Sequence, residues 1–153
     1  MRAGLIGSIC TLIVASVLVY ATPHLSAAMM GGDIKKELQT AFYHAGELAQ
    51  KGNAVAASKL HLQHVINCLE GPTGANYKQA AGYPCEGQGH GVIPDLKDAA
   101  AAKMPGADKA LKEASLAWTL AVQGVAKNDV NEVQPWAKVV SQHLKAALDA
   151  LES

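Results

Sequence analysis

Residues 33–51, DIKKELQTAFYHAGELAQK, and residues 53–70, NAVAASKLHLQHVINCLE, meet at Gly52. In the first segment Ile34, Leu38, Ala41, Phe42, Ala45, Leu48 and Ala49 recur at helical spacing, which marks one apolar face. Asp33 is placed to cap this helix, and Gly52 with Asn53 to end it and start another. In the second segment Val55, Leu62, Val65, Ile66 and Leu69 share a side until Gly71-Pro72 breaks the pattern. The two segments read as an antiparallel helical hairpin.

Downstream, residues 71–94 (GPTGANYKQAAGYPCEGQGHGVIP) are rich in glycine and proline and carry no sustained period, which predicts a long structured loop. Loops of this length are uncommon inside small domains and are often functional. A short alanine-rich helix is expected over Asp95–Lys103, ahead of Pro105-Gly106. Ala107–Lys127 then places Leu111, Ala114, Trp118, Val122 and Val125 on one face, and Val130–Leu151 does the same with Val133, Ala137, Val140, Leu144, Leu148 and Leu151. Pro135 is expected near the first turn of that last helix, where a missing donor matters little. The pattern predicts an all-α, up-down-up-down four-helix bundle with its long loop between the second and third helices. Alanine at facing positions favours close helix approach, with Trp118, Trp136 and Phe42 expected to fill the wider layers.

The 153 residues suit one domain, 50% hydrophobic and only 5% aromatic. Thirteen basic residues balance thirteen acidic ones, so no net field would gather a polyanion, and nucleic acid is not an expected partner. Walker, GxGxxG, GxSxG, HExxH, CxxC and CxxCH motifs are all missing, and Ser58 and Ser115 lack a nucleophile signature, so catalysis is not expected. No Glu-x-x-His pair falls at inward positions, which leaves a di-iron site unsupported.

Met1 and Arg2 precede an uncharged run, Ala3–Ala21, that reads as a secretory signal. Cleavage is expected after Ala28 in preference to Ala21, giving a signal over 1–28 and a domain over 29–153, located in the periplasm or secreted. The competing reading is an uncleaved anchor, which would be the chain's one membrane contact. Cys10 would leave with the signal, so Cys68 and Cys85 remain as an even pair in an oxidising compartment and are expected to form a disulfide. Closing a loop of about 17 residues would stabilise the fold by about 3 kcal/mol.

Of six histidines, His24 departs with the signal, leaving His44, His61, His64, His90 and His143. Imidazole is the commonest transition-metal ligand and a usual haem ligand, so clustering would carry meaning. His44 and His61 lie at nearly equal distances from Gly52, His64 is one turn beyond His61, and Cys68 one turn further, an H-x2-H-x3-C stripe. His143 reaches the same level if the helix ends align. Around their helices His44, His61 and His143 each lie roughly 80–100° from the apolar centre. His44 therefore meets His61 across one seam or His143 across the other, and His64 points further from the core. A bridge at Cys68 would fold the glycine-rich segment, His90 included, over the His61 and His64 face. That makes His44, His61, His64 and His143 the candidate cofactor ligands and His61, His64 and His90 the candidate metal set. The competing reading makes all of them boundary residues, with Gly87, Gly89 and Gly91 serving only tight turns.

The segments HLQHVINCLEGP (61–72) and YPCEGQGHG (83–91) resemble those of small exported bacterial helical proteins with a similar His/Cys segment and glycine-rich cysteine loop, a resemblance that brings no activity with it. The overall plan also resembles periplasmic four-helix-bundle cytochromes, from which this chain departs by lacking CxxCH, so the resemblance implies only a non-covalent or unusually attached haem. The expectation is a periplasmic redox or electron-transfer carrier that binds haem or a transition metal through histidine and meets a periplasmic redox partner. The alternative is a cofactor-free interaction or stress-related bundle.

Overall fold

A computed structural model describes residues 34–153. The signal over 1–28, its cleavage point, Cys10, His24 and the capping role of Asp33 lie outside the described residues. The regular elements among them are all helices, without strands, and none is long and apolar enough to cross a membrane. The chain runs from α1 (residues 34–43, continuing as a π-helix over His44–Ala49) to α2 (Val55–Glu70), a 3-10 turn (Gln79–Ala81), α3 (Val92–Ala101), α4 (Ala107–Val125) and α5 (Val130–Ala150).

The apolar spacings behave as read in α1, α2 and α5, whereas in α4 the expected Leu111, Trp118, Val122 and Val125 are only partly buried and the alanine positions beside them form the buried ridge. Ile34, Leu38, Ala41, Ala45 and Ala49 of α1, and Leu62, Val65, Ile66 and Leu69 of α2, are buried. α4 contributes a ridge of Ala107, Ala110, Ala114, Ala117 and Ala121, and α5 answers with Val133, Ala137, Val140, Leu144 and Ala147. α5 lies along α4, α4 and α1 both flank α2, and the π-helical end of α1 reaches α5. The core centre is therefore alanine and aliphatic. Phe42 and Trp118 pack at its margin instead of filling wide layers, and Trp136 lies beneath the Lys127 ammonium, 5.4 Å from the ring centre. Small side chains bring the helix axes too close to admit an aromatic ring between them.

Three boundaries differ from expectation. α3 begins at Val92, ahead of Asp95, because Gly91 takes the N-cap position and Pro94 falls in the first turn, where no intrahelical donor is needed. Pro135 sits in the second turn of α5, one turn deeper than expected, because Asp129 caps that helix by accepting the Asn131 N–H at 2.8 Å. Residues 71–91 are a closed loop: Gly71 and Gly91, with φ of 72° and 123°, approach so closely that a Cβ on Gly91 would lie 2.6 Å from the Gly71 nitrogen. The expected Cys68–Cys85 disulfide ties the middle of this loop to α2, with both cysteines fully buried.

The loop is also held from α1. Glu37 is fully buried, and its Oε1 accepts the Gly91 N–H at 3.1 Å. Burial first, then the negative charge of Asp95, pushes the Glu37 carboxyl up to about 8. Between its ordinary value and about 8 the folded chain keeps a proton there that the unfolded chain has lost, so stability contributed by neutral Glu37 falls as pH rises through that window. Urea midpoints of wild type and Glu37→Gln, measured at about pH 5 and about pH 8, should converge at the acid end and separate at the alkaline end, with the variant the more stable there. Parallel pH profiles would show that Glu37 is ionised in the fold.

Candidate metal centre

Three helical positions build the centre. His61 and His64, three residues apart on α2, project from one face. His44 opens the π-helical segment, whose wider turn is marked by the Gln50 N–H bonding the Ala45 carbonyl at 3.0 Å and which packs against α2. The Nδ1 of His44 stands 3.2 Å from Nδ1 of His61 and 3.1 Å from Nδ1 of His64. All three rings are half-buried, and a ligand nitrogen from each lies within 4.8 Å of the others.

The fourth contact sets the chemistry. His64 Nε2 lies 2.5 Å from the Ala81 carbonyl oxygen, which can only accept, so Nε2 carries a proton and the ring's available lone pair is that of Nδ1, facing the cluster. The His44 Nδ1 then faces two other Nδ1 atoms. A protonated Nδ1 can aim its single hydrogen well at only one of them, and an unprotonated one repels the His64 lone pair. One cation at the centre would accept all three lone pairs. Nitrogens bound tetrahedrally to Zn²⁺ at about 2.0–2.1 Å stand about 3.3 Å apart, close to the spacings from His44 to His61 and from His44 to His64.

Burial, followed by the charges His64 and His61 would carry, lowers the His44 pKa to about 4, and burial followed by His64 lowers that of His61. Both rings are therefore neutral at pH 7, the form that ligates. Cys68 completes the predicted stripe but is no thiolate ligand, since its sulfur is bonded to Cys85.

Of the other candidates, neither joins the cluster. His143 on α5 pairs instead with Glu113 of α4, Nδ1 to Oε2 at 2.7 Å. The His90 side chain is 93% exposed and lies 3.4 Å from Asp95. The His44 to His61 seam is the one realised, and His64 is turned inward by the loop that covers it. Two participants escaped sequence reasoning: the Ala81 carbonyl, which has no side-chain signature, and Asn67, whose one visible trait was a polar residue amid Val65, Ile66, Cys68 and Leu69. No protein-family model, characterised protein or solved structure matches the chain.

Replacing Cys68 and Cys85 together by serine should leave the helices assembled while lowering stability by about 3 kcal/mol. Hydrogen exchange should quicken first over residues 76–85, exposing the Ala81 carbonyl and His64. Unchanged protection in that segment would show that the bridge does not hold the loop over the histidines.

Proposed function

We propose that this chain is an exported transition-metal carrier that holds one divalent ion, Zn²⁺ or Cu²⁺, through the Nδ1 atoms of His44, His61 and His64. The observation that carries this reading is the convergence of three imidazole nitrogens, at 3.1–3.2 Å about His44, with a carbonyl orienting one ring from behind. Three imidazole nitrogen donors suit borderline ions such as zinc and copper, with copper the tightest binder among the divalent first-row metals. The half-buried setting leaves room for a fourth, exchangeable ligand, as suits an ion that is collected and passed on.

A single ion is favoured over haem because axial haem ligands approach from opposite faces of a plane, whereas these nitrogens face one point. With copper the same centre would serve one-electron transfer to a periplasmic redox partner. Export is supported by the apolar run at 3–21 and by the buried disulfide. We read the four long helices as an up-down-up-down bundle, with α3 an addition packed on α4. For His90 and His143, whose partners are carboxylates, the boundary-residue reading is the better one.

Competition titration of the chelator-stripped protein should give one Zn²⁺ or Cu²⁺ per chain. His44→Ala, His61→Ala and His64→Ala should each weaken binding by more than the roughly 10–100-fold typical of a supporting residue. His90→Ala and His143→Ala should bind as wild type does. Equal losses in all five variants, or no ion bound by wild type, would overturn the assignment.

A further inference from the structure

Asn67 lies one turn beyond His64 on α2 and is fully buried. Its Nδ2 donates to the Lys78 carbonyl at 2.9 Å and to the Gly82 carbonyl at 2.7 Å. Its Oδ1 accepts the Lys78 N–H at 3.0 Å and the Gln63 side-chain N–H at 3.0 Å. Every donor and acceptor of the amide is used, and three of the four bonds grip the two residues that bracket the Gln79–Ala81 turn. That turn presents the carbonyl that His64 contacts. We infer that Asn67 is the positioning residue of the metal centre: it acts through the 78–82 turn to hold the Ala81 carbonyl on His64 Nε2, and so presents His64 Nδ1 to the ion.

The inference rests on the metal reading above, but its first consequence concerns the metal-free protein. A neutral imidazole in water divides between two tautomers. Only a fixed acceptor at Nε2 commits the ring to the Nδ1 lone pair before any ion arrives. The disulfide lies three residues further along the loop, at Cys85, and Gln63 reaches the earlier Asn76 carbonyl at 2.8 Å. Neither touches the turn itself. Asn67 alone of these three bonds both of its ends.

The test uses metal-free, disulfide-bonded protein labelled with ¹⁵N at histidine. In wild type, His64 should show a protonated Nε2 and a bare Nδ1. Asn67→Ala and Asn67→Asp both lose the two donated bonds, and aspartate retains an acceptor. Each should yield mixed His64 tautomers with the bridge intact, and Zn²⁺ affinity should fall about 10–100-fold with one ion still bound per chain. His64 held as the Nε2–H form, with undiminished affinity, in either variant would overturn the proposal. Should the variants fail to fold, a wild-type His64 protonated at Nδ1 overturns it without them. Wild type that binds neither Zn²⁺ nor Cu²⁺ rejects the metal reading, whereas the tautomer comparison still decides whether Asn67 positions the ring.

Discussion

The contact between His64 Nε2 and the Ala81 carbonyl joins two parts of the molecule that otherwise have separate reasons to exist. On one side is a hairpin whose apolar faces bury themselves; on the other is a glycine-rich loop with little apolar surface to order it. Such a loop needs anchors other than hydrophobic burial, because its backbone entropy is high and its side chains are few. It is fastened by a disulfide at Cys85, by Asn67 at Lys78 and Gly82, and by Glu37 at Gly91. Each anchor issues from a fully buried helical residue, so loop order is inherited from the core.

The same burial that fixes the loop makes the histidine cluster tolerable. Charged imidazoles at these separations would repel strongly in a partly desolvated site, and the fold meets this by disfavouring the proton on His44 and His61. Glu37 is the complementary case at the other end of the loop, a carboxyl made neutral by burial and by Asp95. Their pH slopes have opposite signs. Acid withdraws stability by charging the His44 site, and alkali does so by ionising Glu37, so the loop is best held between the two.

Helix existence was legible because it follows from apolar period, and every long helix lies where Ile34 to Leu69 and Leu111 to Leu148 imply. The disulfide was legible by elimination, since the expected removal of a signal bearing Cys10 would leave two cysteines. What could not be read was rotation. Period alone sets His44 on a flank shared between two seams, and the change from α- to π-helical winding at His44 has no side-chain signature. His64 appeared to face away because nothing in sequence says where a loop carbonyl will lie. α3 was expected late because Pro94 and the glycines before it read as loop, although a proline in a first turn is equally compatible with helix.

His143 shows how a ligand candidate is decided by its neighbours more than by its level. It sits on α5, which the π-helical end of α1 also contacts, but Glu113 of α4 lies against its Nδ1 at 2.7 Å. A ring nitrogen already engaged by a carboxylate is not free to meet an ion. Among the described residues the Nδ1 of His44 meets the imidazoles of His61 and His64 and no carboxylate, and burial with their charges opposes a proton there. Two histidines at one level are thus put to different uses, one bonded to a carboxylate and one facing other imidazoles, by whether the facing helix offers oxygen or nitrogen.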